Sequence, residues 1–168
     1  VVDATLGLHN QDLRIATEAW DRGCGLVIAV NKWDLVPEKD SNTAKRGEET
    51  LAKKAPFLQY VPFVYISALT GQRARKVLDI ALEVAEARKR RINTAEVNKV
   101  LEALIQRQQP PQQAGEEVKL NYASQIGTSP PAFAIVSNRP DDIPESYQRY
   151  LMHGFRSAWG FIGAPIHL

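Results

Sequence analysis

The residues best suited to chemistry form one short polar run, Asn31-Lys32-Trp33-Asp34, directly after the apolar segment Leu26 to Val30. That segment is typical of a strand buried on both faces of a parallel sheet, and ligands of open α/β sheets bind at the carboxyl ends of strands. A carboxylate placed there can accept two hydrogen bonds from guanine, from N1–H and from the exocyclic amine. Adenine lacks that amine and its N1 is an acceptor, so Asp34 would reject it because a buried charge would stay unpaired. In this arrangement Asn31 donates to N7 or O6 and braces the neighbouring loop, and the stem of Lys32 lies over the flat base.

A second signal follows the next apolar run, Val61 to Ile66, which leads into Ser67-Ala68-Leu69. In GTPases this position carries a Ser-Ala dipeptide whose backbone N–H faces guanine O6. Each signal has a simpler explanation, because Asn and Asp are common in turns after strands and Ser67 is a suitable helix cap. The two signals occur in order, each at a strand end with a helical segment between them, and together they favour a guanine site.

The elements around these motifs alternate between strand and helix. Val1-Val2-Asp3 is typical of a strand end. Three helical segments are predicted: one capped by Asn10 and stopped by Gly23, one over 41–54, and one over 74–90. The inner side of the last helix is predicted to carry the apolar residues Val77, Leu78, Ala81, Leu82, Val84 and Ala85. This alternation indicates an α/β fold with a parallel sheet and right-handed crossovers.

The alternation ends near Ile92, and the order of elements becomes α-β-β-α-β. The predicted elements are a helix capped by Asn93 or Thr94, a Gln/Pro-rich loop over 106–115, strands over 118–124 and 132–137, a helix from Pro144 or Glu145 to Gly160, and an edge strand over 165–168. Most aromatic residues here fall at helical or strand spacing, so we expect Tyr122, Phe133, Tyr147, Tyr150, Phe155 and Trp159 to lie mostly in the core. The chain therefore divides into two domains, 1–91 and 92–168.

Asn31-Lys32-x-Asp34 and Ser67-Ala68 resemble the fourth and fifth GTPase motifs, and the whole chain resembles the bacterial Der (EngA) family. The segments that carry this likeness are Val2 to Thr5, Gln11-Asp12, Asn31 to Leu35, Thr94 to Asn98, Tyr122 to Pro131, Tyr147 to Leu151 and Gly160 to Ile166. The resemblance implies the C-terminal half of a P-loop GTPase-type parallel sheet followed by a small α+β KH-like domain. It further implies GTP or GDP as ligand, GTP hydrolysis, and a role in assembling the large ribosomal subunit.

Two GTPase motifs are missing from the chain. It contains no G-x-x-x-x-G-K-[ST] loop, which cradles the phosphates, and no D-x-x-G motif follows Asp3. The resemblance implies that the phosphate site, the switch regions and the residues that hold Mg²⁺ lie upstream of Val1. We therefore expect this fragment to be inactive in hydrolysis by itself.

The nucleic-acid signals of the second domain are weak. Gly160-Phe161-Ile162-Gly163 matches the GxxG loop of KH domains formally, but its middle is apolar and a packing turn is the better interpretation. Gly127 to Pro131 is better explained as a rigid hairpin connection. The best candidates for RNA phosphate contacts are Arg88, Lys89, Arg90 and Arg91, whose alternative role is a solvated helix end. After Arg91 the chain carries six Lys/Arg and seven Asp/Glu, so little net charge attracts RNA there.

Two other interpretations stay open at this point. The chain could be an RNA- or ribosome-binding module whose G-domain part is only a scaffold. It could also be an Era-type GTPase, although that family needs a basic GxxG between two helices. The partner that the resemblance to the Der (EngA) family implies is the large ribosomal subunit, through rRNA or ribosomal proteins.

Composition narrows the class of protein. The 168 residues carry a net charge of +2 and one cysteine, Cys24, which excludes an internal disulfide and suits a reducing compartment such as the cytoplasm. No apolar run is long enough to span a membrane, and the chain does not open on a secretory signal. His9, His153 and His167 show no metal-ligand spacing. We expect a monomer, and a piece of a longer protein.

Overall fold

The computed structural model describes residues 1–37, 43–112 and 116–168 and separates into two units. Unit 1 comprises residues 1–87 and 162–165, and unit 2 comprises residues 88–161 and 166–168. The described strands are β1 Val2–Asp3, β2 Ile28–Asn31, β3 Phe63–Tyr65, β4 Leu120–Thr128 and β5 Pro131–Ser137, and the described α-helices are α1 Asn10–Asp21, α2 Thr43–Lys54, α3 Ala74–Lys89, α4 Thr94–Arg107 and α5 Glu145–Trp159. None of the described helices is long and apolar enough to cross a membrane.

Unit 1 is built on a parallel sheet with strand order β1-β2-β3. Successive residues of β2 point to opposite faces: Ile28 and Val30 join one apolar cluster, and Ala29 joins another with Val64 and Ile66. Both faces are thus covered, which explains why this strand has an unbroken apolar sequence. The predicted α/β class with a parallel sheet is confirmed.

The edges of the first elements differ from the prediction by one or two residues. Helix α1 begins at Asn10 and its N-cap is His9, whose backbone N–H donates to the Asp12 carboxylate at 2.9 Å. The strand β2 starts at Ile28 rather than Leu26, because the Leu26 N–H donates to the Gly163 carbonyl at 2.7 Å instead of joining the sheet. The start of the predicted 41–54 helix, at 41 and 42, lies outside the described residues.

The predicted inner side of α3 is wrong at three positions, Leu78, Ala81 and Leu82, which are all exposed. Val77 and Ile80 pack against the sheet, whereas Leu78 and Leu82 are each 66% exposed. A residue one position along a helix is turned by about 100° around its axis. Leu78 and Leu82 therefore lie on the side of α3 that the three-stranded sheet does not cover.

Unit 2 is an α+β arrangement in which the antiparallel hairpin β4-β5 is combined with α4 and α5. The two strands are joined by a tight turn at Ser129-Pro130, whose peptide bond is cis, in line with the predicted hairpin connection. The strand β4 extends to Thr128, four residues beyond the predicted end. His167 forms a single parallel bridge with Ala132, so the predicted edge strand is reduced to one pair. Part of the Gln/Pro-rich loop, 113–115, lies outside the described residues.

Two side-chain amides hold β4 in place within unit 2. The Asn98 amide bonds both backbone groups of Ala123, accepting from its N–H and donating to its carbonyl, each at 2.9 Å. The Gln125 amide accepts from the Ile92 N–H at 2.7 Å and donates to the carbonyls of Arg90 and Gly127 at 3.0 Å. The sequence motifs that contain Asn98 and Gln125 are therefore structural in this unit.

The aromatic residues of unit 2 are mostly core, as predicted, with one exception. Phe133, Phe155 and Trp159 are buried and their ring centroids lie 5.0–5.4 Å apart. Tyr147 is buried as well, and burial raises the pKa of its hydroxyl to about 12. Tyr122 is exposed on the outer face of β4, because its neighbour Ala123 faces inward and side chains alternate along a strand.

Candidate functional site

The predicted base-binding motifs come together at one edge of the unit 1 sheet. Parallel strands place their carboxyl ends at the same edge, and the loops that leave β2 and β3 are tied to their neighbours by backbone bonds. The Ala4 N–H donates to the Asn31 carbonyl at 2.8 Å, and the Trp33 N–H donates to the Ile66 carbonyl at 3.0 Å. The loops that carry both motifs are thereby held against one another.

Asn31 joins the two motifs through its side chain. Its Oδ1 accepts a hydrogen bond from the Ala68 N–H at 2.9 Å. Because a backbone N–H can only donate, the amide orientation is defined, and Nδ2 is the end that remains to donate to a ligand. The brace between the loops is thus present in the structure, and the contact with a base stays a prediction.

Lys32 has a backbone conformation that few non-glycine residues adopt. Its φ of 61° lies in the left-handed region, where such residues concentrate at functional sites. This conformation turns the chain from β2 into the short 3₁₀ helix Trp33–Leu35. The Lys32 ammonium lies 2.6 Å from the Asp3 carboxylate, at the end of β1.

Trp33 and Asp34 have different roles in the turn after β2: Trp33 packs into the protein, and Asp34 is available to a ligand. The Trp33 ring packs on Tyr65 with a centroid distance of 4.5 Å and contacts the apolar cluster of β2. The Tyr65 hydroxyl lies 3.0 Å from the Glu48 carboxylate, and burial, followed by this charge, raises the pKa of Tyr65. Asp34 is half-buried, and no described residue donates a hydrogen bond to its carboxylate. Both of its oxygens are therefore available to accept from a ligand.

The Ser67-Ala68 dipeptide uses its backbone donors within the protein. The Ser67 N–H donates to the Gln72 carbonyl at 3.1 Å, and its buried hydroxyl accepts from the Thr70 N–H at 3.2 Å. The Ala68 N–H is engaged by Asn31. Leu69 comes next and its side chain is 88% exposed. The sequence analysis assigned neither Leu69 nor Asp3 to the site. Leu69 directly follows the Ser67-Ala68 motif, whereas Asp3 reaches the first motif only through the pairing of β1 with β2.

The basic run 88–91 is not a uniform phosphate-binding patch. The Arg90 guanidinium donates to the Trp159 carbonyl at 2.9 Å, and the Arg90 carbonyl accepts from Gln125. Arg88 is half-buried, whereas Lys89 and Arg91 are exposed. Arg90 is exposed as well, and the phosphate-binding role of the four residues stays a prediction.

The GxxG match is a packing turn, as predicted. Gly160 follows α5 with φ 82°, and the next side chain, Phe161, is 2% exposed and packs on Phe133 and Trp159. At Gly163 φ is 63°, and a Cβ would lie 2.6 Å from the Leu26 carbonyl oxygen. The glycines therefore serve the backbone of the protein, and the middle of the motif is not presented as a polar clamp.

Comparison with known proteins supports, over the full chain, the family that the sequence motifs resemble. Residues 1–110 match the family described as the elongation factor Tu GTP-binding domain, and residues 91–168 match the KH-domain-like family of EngA bacterial GTPase enzymes, C-terminal. Proteins called GTPase Der are 52% identical in Gemmatimonas aurantiaca, 43% in Chloroherpeton thalassium and 41% in Halothermothrix orenii, each over the whole chain. The chain spans 38% of the length of these relatives. With the two motifs predicted to bind guanine on one sheet edge and the EngA-type domain after them, the chain belongs to the Der (EngA) family of GTPases.

Proposed function

We propose that unit 1 is the guanine-recognising part of a GTPase that binds GTP and GDP. The observation that carries this proposal is the half-buried Asp34 carboxylate, which has no hydrogen-bond donor among the described residues and follows Asn31 by three residues on the same loop. Together they offer an anionic acceptor and a neutral donor at one sheet edge. Guanine presents the complementary pattern of N1–H and amine donors next to the N7 and O6 acceptors.

The backbone donor for guanine O6 comes from the second loop. Since the Ala68 N–H already bonds Asn31 Oδ1, O6 either shares this donor or takes the N–H of Leu69. The exposed Leu69 side chain is an apolar surface beside that position, as the stem of Lys32 is on the other loop. Recognition would then use edge contacts from Asp34 and Asn31 and face contacts from Lys32 and Leu69.

The phosphates and Mg²⁺ would be held by residues outside this chain. Within the described residues, no group of three or more His, Cys, Asp or Glu is placed to hold a metal ion. Most of the charge stabilisation in phosphoryl transfer comes from the phosphate loop and the metal. The chain therefore contributes base specificity, and hydrolysis belongs to the longer protein.

The test is Asp34→Asn in a longer protein that carries this chain together with its phosphate loop. Losing a charge-assisted pair of bonds costs about 1–3 kcal/mol, so GDP affinity falls by about 5- to 150-fold. The new amide can donate to the extra carbonyl of xanthine, so affinity for xanthosine diphosphate rises. Titration with fluorescent nucleotides measures both. The control is Asp21→Asn, the same change at the exposed end of α1, and equal GDP affinity in parent and Asp34→Asn proteins would remove Asp34 from the site.

We further propose that unit 2 docks the protein on the large ribosomal subunit during its assembly. The support is the family to which the chain belongs, together with the near-neutral charge after Arg91 and the buried Phe161 in the GxxG turn. These features argue against unit 2 binding single-stranded RNA independently, because independent RNA affinity depends on basic charge. A docking domain needs less charge, because it adds its contacts to those of a larger surface.

The docking proposal is tested by changing the exposed Lys89 and Arg91 to Gln in the longer protein. Each lost phosphate contact lowers the slope of log affinity against log salt by about 0.7–0.9, so the double variant should lose about 1.5 units. Sedimentation with purified large subunits over a salt series measures this slope. The matched control neutralises Lys53 and Lys54, also exposed, at the end of α2. An unchanged slope would exclude these two residues as phosphate contacts, and tight binding of short single-stranded RNA by the chain would overturn the docking role.

A further inference from the structure

Asp3, at the end of β1, uses its two carboxylate oxygens for two different purposes. One oxygen, Oδ1, accepts from the Thr5 N–H at 2.8 Å and from the Thr5 hydroxyl at 2.7 Å. This is a local turn, of the kind that Asp residues form with the backbone two positions on. The other oxygen, Oδ2, lies 2.6 Å from the Lys32 ammonium. The turn accounts for the first set of contacts and leaves the second to be explained.

The sheet places Asp3 directly beside the guanine motif. In the parallel register Asp3 is opposite Asn31, and the next residue, Ala4, donates its N–H to the Asn31 carbonyl at 2.8 Å. Lys32 then follows in a left-handed conformation that sends its side chain back toward β1. The contact therefore joins the first strand end to the second through a side chain of the binding loop.

The exposure of the two partners shows what this ion pair can do. The Lys32 side chain is 53% exposed and the Asp3 side chain 21%. Ion pairs this accessible add little to folding stability. Their consequence is positional, because one long, flexible side chain is held by its end while the methylene stem stays accessible to a ligand. The contacts also lower the pKa of Asp3 to about 2, with Lys32 as the largest cause and Thr5 next, so the carboxylate stays charged.

We infer that Asp3 is a positioning residue of the guanine site, which anchors the Lys32 ammonium so that the stem of Lys32 forms a preordered surface for the face of the base. This inference rests on the proposed function of Asn31 and Asp34. It also gives the lysine charge a partner within the protein. The role of Lys32 in base binding is then carried by its stem.

The test is a double-mutant cycle in the longer protein with Asp3→Asn and Lys32→Met, read by titration of fluorescent GDP and IDP. Ordering a long side chain on binding costs about 0.5–1.5 kcal/mol, so Asp3→Asn should weaken GDP about two- to tenfold. IDP should weaken by the same factor, because inosine lacks only the amine at the base edge and keeps the same face. In the Lys32→Met background, Asp3→Asn should change neither affinity by more than about twofold.

Two controls separate this role from a purely structural one. Thr5→Val removes a hydroxyl bond to Oδ1 but leaves the Oδ2 contact with Lys32, so GDP affinity should stay within about twofold of the parent. Asp21→Asn repeats the charge change at an exposed site on α1. A loss of affinity in Asp3→Asn that is equally large without Lys32 would overturn the inference, as would parental affinity in Asp3→Asn. If the parent itself does not discriminate GDP from ADP, the proposed guanine site fails, whatever Asp3 does.

Discussion

Replacing Gln125 with Leu should destabilise unit 2 by about 2–4 kcal/mol. Gln125 is 5% exposed, and its amide makes three hydrogen bonds, one from the Ile92 N–H and two to the carbonyls of Arg90 and Gly127. A buried donor that loses its partner costs about 1–3 kcal/mol, and each lost bond to a carbonyl costs about 0.5–1.5 kcal/mol. The apolar leucine recovers part of this by filling the same space. The loss is a large share of the free energy of unfolding of a typical domain, which is about 5–15 kcal/mol.

Amide hydrogen exchange measured by mass spectrometry is the suitable assay, because it reports unit 2 separately from unit 1. Peptides from α4 and β4 should exchange about 30- to 700-fold faster in Gln125→Leu under conditions where exchange follows the opening equilibrium. The matched control is Gln148→Leu. That amide makes one exposed bond, to the Ile143 carbonyl at 3.0 Å, and surface changes of this kind stay within about 0.5 kcal/mol. Equal protection in the two variants would refute the reasoning, since it would mean that the three backbone groups need no side-chain partner.

Gly154→Ala should destabilise unit 2 by about 1–3 kcal/mol in denaturant titrations, because the new Cβ would lie 2.4 Å from the Leu104 side chain. The same change at Gly47, a helical position with no neighbour within 4 Å, should instead stabilise by about 0.5–1 kcal/mol, and equal signs would contradict this. The Asp3–Lys32 pair is present above the ordinary pKa of 3.8 and is lost as pH falls toward about 2. The stability difference between parent and Asp3→Asn is small for so accessible a pair; it should be constant from pH 8 to 5 and shrink below pH 4, where a difference persisting to pH 2 would argue against the pair. The chain by itself should show no GTP turnover in a phosphate-release assay, and measurable turnover would show that the phosphate site is within it.

Short-range patterns predicted most of the elements and the family correctly. The apolar runs before Asn31 and Ser67, the cap at Asn93 and the glycine after α5 are local signals, and each matches the structure. The motif positions followed as well, because parallel strands necessarily bring their carboxyl ends to one sheet edge. The order of strands and helices was therefore enough to predict that the Asn31–Asp34 and Ser67-Ala68 motifs lie at the same sheet edge.

The wrong burial predictions share one cause. A periodic pattern shows which residues lie on one face of a helix or strand, but it does not show whether other elements cover that face. Leu78 and Leu82 match a buried helix face by spacing, yet the three strands of unit 1 leave both exposed. Tyr122 has strand periodicity but lies on the outer face of the hairpin.

The sequence by itself was enough to propose the kind of site, because recognition of guanine depends on residue types at strand ends, and those are local in the chain. Tertiary structure alone decided which partners these residues have. The Asn31 amide meets Ala68, 37 residues on, and the Lys32 ammonium meets Asp3 on a different strand. Contacts of this kind depend on the register between the strands and on the left-handed backbone conformation of Lys32. Neither follows from composition or periodicity, because both result from packing the whole sheet at once.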